Sequence, residues 1–495
     1  MKLKGLFFFT LLLVFSGQLI AQDYLRSAYY TQSYRYRHLM NPSFQPDRGY
    51  VGVPILGYSS LSFRSDVAVS NLFSALSDNR LDQWNDFINS PYVESGFKSK
   101  NKFDVGMEMS LFNIGFFAFN GFNSIGYALK STARGYFPKE VIDVLCKSPE
   151  DREDIHLSDL NFRSNTYMEI ALGHSHSIGE RITVGAKVKM LLGLMNVGAT
   201  IDRMSFHASG DYWDVNGSGL IEFSGFLDIP TTSRYLSEVE LSEVTIDRDN
   251  LISGFGLATD LGVNYDINDD WQVNLALLNV GFMRWNKSYH SSLDVNSWQF
   301  EGFDNFKDDD EEEVEEVLSS LWNSAKNCFR FKGVTEKSKK EFLSMTLNAG
   351  VQYTLPVYDK LKFGFLSSTK FNAGYTWFEG RLSANVAPSH WFDGALSLGL
   401  SNFGASLGLV ADFHPADFSI LIGTNLPLHS RLYPFDLSQK LIGDFYFGFN
   451  FPIGEKHKKE YVEMVESYYE TQSDVEKMQE MEEMEQEPQN ILIEE

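Results

Sequence analysis

Hydrophobic and polar residues alternate with a period of two along several stretches of this chain. Between residues 254 and 267, bulky apolar side chains occupy one parity and glycine or small polar side chains occupy the other. Residues 182–194 and 345–355 repeat the pattern, and residues 444–453 carry four phenylalanines at alternate positions. A period of two predicts β-strands that each have one apolar face.

The length and composition of these runs favour a membrane barrel. The runs exceed the five or six residues usual in globular strands and match the roughly 9 to 11 residues of a tilted membrane strand. Aromatic residues make up 15% of the chain, and they concentrate on the apolar faces, as a lipid-facing wall requires. A soluble β-sandwich or propeller would alternate as well and is the alternative fold. The sequence therefore predicts an all-β protein, an antiparallel transmembrane β-barrel.

Short and long connections alternate between the predicted strands, which is the usual asymmetry of outer-membrane barrels. The short connections lie at 178–180, 268–270, 357–359, 388–390 and 414–416. The long connections, assigned to the extracellular side, lie at 64–102, 136–163, 200–252, 288–341 and 426–440. This topology gives 14 strands, whereas a membrane hairpin over Arg203–Ser224 would raise the count to 16.

The N-terminal region differs in composition from the strands. An apolar run that follows two lysines ends near Ala21, which predicts a signal peptide over residues 1–21 and export to the outer membrane. Residues 22–49 are expected to form a periplasmic N-terminal segment or a plug of the lumen. Residues 50–454 are expected to form the barrel, with outer-membrane lipid as its surroundings.

The C-terminal residues 455–495 are strongly acidic. They hold 14 acidic and 4 basic side chains in a chain whose formal net charge is −24. Good helix formers and a thin apolar stripe predict a periplasmic tail that is either helical or disordered. In the helical case the tail would dock on a basic periplasmic protein partner and order as it binds. Nucleic-acid binding needs clustered Lys and Arg, and with the acidic charge balance of this chain the sequence predicts no nucleic-acid partner.

Motifs for catalysis and for cofactors are missing from the sequence. There is no GxSxG, HExxH or P-loop pattern, so neither an enzyme nor a bound cofactor is predicted. His174 and His176 share a strand face but have no readable third ligand, and packing at the membrane interface is favoured over a metal site. The acidic run 308–313 is interpreted as the solvated start of a helix over Glu312–Lys326 rather than as a calcium loop.

Four charged residues fall on the small, polar parity of the predicted strands. Lys187, Lys189, Asp260 and Lys362 are therefore expected to face the lumen, where they would either select a solute or pair with one another.

The two cysteines, Cys146 and Cys328, both fall in predicted extracellular loops. A disulfide between them requires Cα atoms within about 7 Å, and two unconnected thiols are the favoured interpretation.

Three segments resemble a known group of exported barrels. The motif Asn41-Pro42-Ser43-Phe44 resembles an Asn-Pro-Ala-Phe motif near the mature N-terminus, with Ser43 in place of Ala. The stretches 167–198 and 278–285 strengthen the likeness. Together they resemble an uncharacterised Bacteroidetes family, a domain of unknown function. That family is distantly similar to the PorP/SprF barrels of gliding and type IX secretion and to FadL-type transporters.

The resemblance implies two functions and assigns no catalytic or binding residues. The favoured function is a non-enzymatic structural or secretion-accessory scaffold, by likeness to the PorP/SprF barrels. The alternative is FadL-like or porin-like transport of small or hydrophobic solutes. In that case residues 22–49 would gate the lumen, with Asn41 and Pro42 fixing the turn into the first strand.

Overall fold

The computed structural model describes residues 25–68, 97–141, 154–209, 212–231, 244–293, 298–300, 331–332, 334–371, 374–428 and 440–455. Several predictions fall outside these residues: the signal peptide, the pairing of Cys146 with Cys328, the acidic run 308–313 with its helix, and the helical or disordered tail after residue 455.

Strands dominate the described residues. Two short 3-10 helices, Arg26–Ala28 and Arg35–Leu39, precede the first strand, and a third covers Arg248–Asn250. The first ten strands are β1 Gly49–Gly52, β2 Ser59–Ala68, β3 Lys100–Ala118, β4 Gly121–Pro138, β5 Ile155–Ile178, β6 Ile182–Ser209, β7 Tyr212–Gly225, β8 Leu227–Asp228, β9 Thr245–Ile246 and β10 Gly254–Asp266. The others are β11 Trp271–Ser292, β12 Trp298–Phe300, β13 Thr335–Phe342, β14 Met345–Thr354, β15 Leu361–Phe371, β16 Trp377–Ser389, β17 Phe392–Ser401, β18 Gly404–Phe413, β19 Ser419–Pro427 and β20 Lys440–Ile453.

The strands close into an antiparallel barrel of 14 strand positions, as predicted. Strand β1 pairs with β3 on one side and with β20 on the other, which closes the ring and leaves no edge. Strands β1 and β2 share one position, because both lie between β3 and β20. The remaining positions are β3 to β6, β10, β11 and β14 to β20.

The barrel has two unlike ends. The short connections 179–181, 267–270 and 355–360 lie at the end where β1 begins and β20 stops, here called the turn end. Arg48 joins the start of β1 to the end of β20 there, because its guanidinium donates to the carbonyl of Gly454 at 2.7 Å. The long connections lie at the opposite end, here called the loop end.

Several strands extend well beyond the length that the sequence pattern predicts. Strand β6 contains 28 residues, and only its first half pairs with β10. Its second half pairs with β7, which also contacts the loop-end part of β11. The Arg203–Ser224 hairpin is therefore a second tier above the barrel wall, and the 16-strand alternative is wrong. The pattern missed this tier because strands outside the lipid need no apolar outer face.

The two faces of the wall differ in polarity as the alternation predicts. Along β6, Lys187 and Lys189 are buried, whereas Val184 and Val188 are exposed on the outer side. Aromatic rings cluster on the outer wall near the turn end, where Trp391 stacks edge-on against Phe413 with centroids 5.3 Å apart. In the part of the chain that the structure describes, no helix is long and apolar enough to cross a membrane.

Candidate functional site

The N-terminal segment 25–48, here called the plug, lies inside the barrel. Arg26 pairs with Glu379 of β16 at 3.1 Å, and the Tyr29 hydroxyl donates to Asn274 of β11 at 2.8 Å. The same segment contacts β5 and β20, through Gln45 and Arg35. Because these strands lie around the whole ring, a segment that contacts all of them must occupy the lumen.

Tyrosines form the core of the plug. Tyr29, Tyr30, Tyr34 and Tyr36 are almost fully buried, and they pack on one another and on the lumen face of the wall. The rings of Tyr29 and Tyr30 meet edge to face at 4.9 Å, a favourable aromatic geometry. The Tyr30 hydroxyl donates to the carbonyl of Phe365 at 2.9 Å, which satisfies its polar end within the wall.

The Asn-Pro motif anchors the plug to the wall. Asn41 is fully buried, and its side-chain oxygen accepts hydrogen bonds from the backbone and hydroxyl of Ser43. On the lumen face of the wall, a Cβ added at Gly262 would overlap the Asn41 oxygen, and one added at Gly185 would overlap the backbone of Pro42. The motif thus makes a turn inside the lumen, not the predicted turn into the first strand.

Five charged side chains form a buried chain of ion pairs around one side of the lumen, here called the lumen network. Lys130 of β4 lies 3.2 Å from Glu108 of β3 and 2.8 Å from Glu169 of β5. Lys189 of β6 lies 3.7 Å from Glu169 and 2.6 Å from Asp260 of β10. Five successive wall positions are therefore joined by alternating charges, each nearly shut off from solvent.

A bulge in β11 completes the network at Asp260. The register of β10 against β11 shifts between Thr259 and Leu261, so that β11 has one extra residue there. Asn279 in this bulge has a φ of 59°, a conformation that Asn tolerates better than most residues. Its backbone N–H donates to the Asp260 carboxylate at 2.7 Å, and its side-chain oxygen accepts from Lys189 at 2.8 Å.

A second buried group joins the plug to the opposite wall. Glu379 accepts hydrogen bonds from Arg26 of the plug at 3.1 Å and from Arg381 at 2.8 Å. The Arg26 guanidinium also lies 4.2 Å from the ring centre of Trp377, within cation–π range. Nearby, Arg64 pairs with Asp444 at 2.7 Å. Charge-assisted bonds therefore hold the first residues of the plug.

The four residues predicted to face the lumen do not act as one set. Lys189 and Asp260 form an ion pair, and Lys187 lies buried on the same face. Lys362 lies on the far side of the ring, in β15, and is half-buried near the turn end. Sequence reasoning missed Glu108, Lys130 and Glu169, although each occupies a lumen-facing parity in a neighbouring strand.

The two histidines of β5 lie on the outer wall near the turn end. Their rings are nearly parallel, with centroids 6.2 Å apart. They border an apolar cavity of about 550 Å³ on the outer side of β5, β6, β10 and β11. Among the described residues, no group of three or more side chains is arranged to hold a metal ion.

Comparison with known proteins identifies a family and a set of similar folds. The model of a family of unknown function (DUF5723) matches residues 42–425. No curated protein sequence matches the chain.

Two of the similar solved structures are toluene transporters, and a third is a FadL homologue. The Ralstonia pickettii toluene transporter TbuX is 8% identical with a TM-score of 0.43, covering 84% of this chain and 94% of that one. The Pseudomonas putida toluene transporter TodX is 9% identical with a TM-score of 0.39, covering 84% and 93%. A Pseudomonas aeruginosa FadL homologue is 8% identical with a TM-score of 0.37, covering 88% and 96%.

Proposed function

The chain belongs to the DUF5723 family, whose function is unknown. From what occupies the lumen, we propose that the protein is a plugged transport barrel of the outer membrane. Small solutes would cross when residues 25–48 move aside. This proposal reverses the order of the two functions that the sequence favoured. No enzymatic step is part of it.

The observation that carries the proposal is what fills the lumen. A barrel that serves only as a scaffold can close its interior with large side chains from its own strands. Here the lumen face of the wall has small residues beside the plug, at Gly185, Gly262 and Ala276. A separate N-terminal segment fills the space that larger side chains would occupy. That segment is held by hydrogen bonds, ion pairs and the packing of its tyrosines, none of which is part of the strand pairing of the barrel.

The outer wall supports a location in the outer membrane. Apolar side chains such as Leu172, Leu382 and Leu400 are more than half exposed on the outer side, where only lipid would make them favourable. The turn end, where β1 begins and β20 stops, would then face the periplasm. Cleavage near Ala21 and a Bacteroidetes source are parts of this proposal.

The scaffold function is the second candidate, and the burial of the plug favours it. Tyr29, Tyr36 and Asn41 are sealed from solvent, so the lumen is closed in this conformation. A barrel that never opens would present its loops, or the tail 455–495, to a partner protein. Likeness to the PorP/SprF barrels belongs to this candidate.

Conductance in planar bilayers separates the two functions. We expect the intact barrel to conduct poorly and a variant lacking residues 25–48 to show stable open channels. Arg26→Glu, which opposes Glu379 with a like charge, should open the barrel intermittently. The charge-swapped double variant Arg26→Glu with Glu379→Arg should restore closure. Insertion of each variant is checked independently by resistance of the barrel to protease in vesicles.

The conductance results distinguish the transport function from the scaffold function. If the inserted deletion variant and Arg26→Glu both stay closed, the transport function is wrong and the scaffold function replaces it. If the double variant conducts as freely as Arg26→Glu, the Arg26–Glu379 pair does not hold the plug.

A further inference from the structure

An apolar hollow crosses four strands on the outer face of the barrel, here called the wall groove. Its volume is about 550 Å³, within the range of sites that enclose small ligands. Its sides are the outward residues of four strands, including Val184, Ala186, Leu261, Val263, Leu275 and Leu277. Two residues of β5, His174 and His176, close one edge of the groove near the turn end.

The wall groove and the plug lie on opposite faces of the same strand positions. Gly185, Gly262 and Ala276 contribute to the groove from the lumen side of the strands. At Gly185 and Gly262 no side chain separates the backbone from Asn41 and Pro42, so the wall is thin there. The groove therefore lies directly across the wall from the Asn-Pro motif of the plug.

The hydrogen bonds of the two histidines fix their tautomers. His176 Nδ1 lies 2.8 Å from the carbonyl of Asn120, which can only accept, so Nδ1 carries the proton. His174 Nδ1 lies 2.9 Å from the Asn123 side-chain oxygen. The Asn123 amide nitrogen donates to two carbonyls, of Ala118 and Gly121, so its oxygen faces His174 as an acceptor.

In its neutral form, an imidazole that donates through Nδ1 carries Nε2 as a hydrogen-bond acceptor, and both histidines donate through Nδ1. The ligand that fits this edge must donate hydrogen bonds. Among the described residues that line the groove, none carries a fixed positive charge for a phosphate. An ammonium that bears N–H groups can donate hydrogen bonds to the two histidines. A quaternary ammonium has no N–H group and cannot donate to them.

We propose that the wall groove binds one phosphatidylethanolamine molecule, with an acyl chain along the apolar hollow and its ammonium at His174 and His176. This inference rests on the membrane location in the proposed function, because only then does lipid lie against this face. It does not require the lumen to open. The position of the histidines two and four residues before the end of β5 suits the headgroup level of a bilayer.

Native mass spectrometry of the purified full barrel tests the proposal. The protein is stripped of lipid in detergent and re-exposed to equal amounts of phosphatidylethanolamine, phosphatidylcholine and phosphatidylglycerol with identical acyl chains. We expect one phosphatidylethanolamine per chain, preferred roughly tenfold over phosphatidylcholine, as two neutral hydrogen bonds would give. Ala186→Trp should fill the groove and abolish the binding. Ala411→Trp, at an exposed alanine on the outer face of β18, is the matched control and should bind as the parent does.

The double variant His174→Phe with His176→Phe tests the headgroup contact separately from the acyl-chain contact. This variant should keep one bound lipid and lose the preference between the ethanolamine and choline headgroups. Equal retention of the two lipids by the parent, or a preference for phosphatidylglycerol, would overturn the headgroup assignment. Undiminished binding in Ala186→Trp would overturn the assignment of the lipid to the wall groove. Protease resistance in vesicles shows separately whether each variant still inserts, so a failure of the membrane location is recognised as such.

Discussion

Asp260 pairs with Lys189 although the strand register places it opposite Lys187. In the pairing of β10 with β6, Asp260 faces Lys187 and Ala258 faces Lys189. The Asp260 carboxylate nevertheless lies 2.6 Å from the Lys189 ammonium. Lys189 lies between Glu169 and Asp260, so one cation links the acidic groups of two strands across β6. The diagonal pairing therefore matters more to the lumen network than the direct one.

Removal of Lys189 should cost more stability than removal of its neighbour. Lys189→Met leaves Glu169 and Asp260 short of one buried positive charge, and breaking such a pair typically costs about 3–5 kcal/mol. Urea unfolding of the barrel in detergent micelles measures the loss. Lys187→Met is the control on the same face of the same strand, and a smaller loss is expected. Equal losses would mean that the diagonal pair has no special role.

A methyl group at Gly262 should loosen the plug. A Cβ there overlaps Asn41 and lies 2.9 Å from the Pro42 ring, so Gly262→Ala forces the plug away from the wall. Overpacking of this kind costs about 1–3 kcal/mol. Gly380→Ala is the control, because the nearest atom to a Cβ at Gly380 is 3.7 Å away. Trypsin cleavage at Arg35 and Arg37 should speed up in Gly262→Ala alone. Similar cleavage rates in both variants would show that the contact between Gly262 and the Asn-Pro motif does not anchor the plug.

The turn between β3 and β4 should become more stable when its strained residue is replaced. Phe119 and Asn120 both have positive φ, 56° and 54°, and Phe119 is 85% exposed. A bulky residue in this conformation costs about 1–2 kcal/mol, and Asn tolerates it better. Phe119→Asn should therefore raise the free energy of unfolding by about 1 kcal/mol in micelles. Phe119→Leu keeps the strain and should bring no gain. A loss of stability in Phe119→Asn would show that the exposed ring makes a contact worth more than the strain.

The alternation of side chains was enough to predict the wall but not its interior. A lumen-facing parity follows directly from period two, which is why Lys189 and Asp260 were found. Their pairing depends on the bulge at Asn279, which shifts the outward positions of β11 from Leu277 to Val280. The sequence hides this shift because the lumen-facing Leu278 is apolar as well. The fourteen strand positions followed from the turns, whereas the second tier on β6 did not. Its strands bury an apolar cluster that includes Phe206, Trp213 and Val215, but they lack the lipid-facing alternation that marks the wall. The plug was predicted only as one of two alternatives, since its tyrosines have no periodicity.

The small hairpin β8–β9 beside the loop end of β11 should open in acid. Asp228 accepts hydrogen bonds from the Tyr289 hydroxyl at 2.5 Å and the Lys287 ammonium at 2.9 Å, and these bonds lower the pKa of its carboxyl. A group whose pKa is lowered by folding stabilises the folded state above its ordinary value, about 3.9 for Asp, and this stability is lost as the pH falls through the lowered value. Below pH 4 the hairpin should therefore detach from β11 while the barrel stays folded.

Hydrogen exchange of the backbone amide of Asp247 measures this opening, because that amide donates to the carbonyl of Phe226 across the hairpin at 2.7 Å. Its protection factor should fall between pH 5 and pH 3 in the parent, after correction for the intrinsic exchange rate. In Asp228→Asn the side chain cannot titrate, so protection should be lower at pH 5 and should change little with pH. Because the Asp228 side chain is 54% exposed, solvent screens the pair and the effect should be confined to the hairpin. The amide of Leu343, which bonds to Gly281 on the adjoining part of β11, is the internal reference and should keep its protection throughout. A fall that is equally steep in Asp228→Asn would assign the acid response to another group.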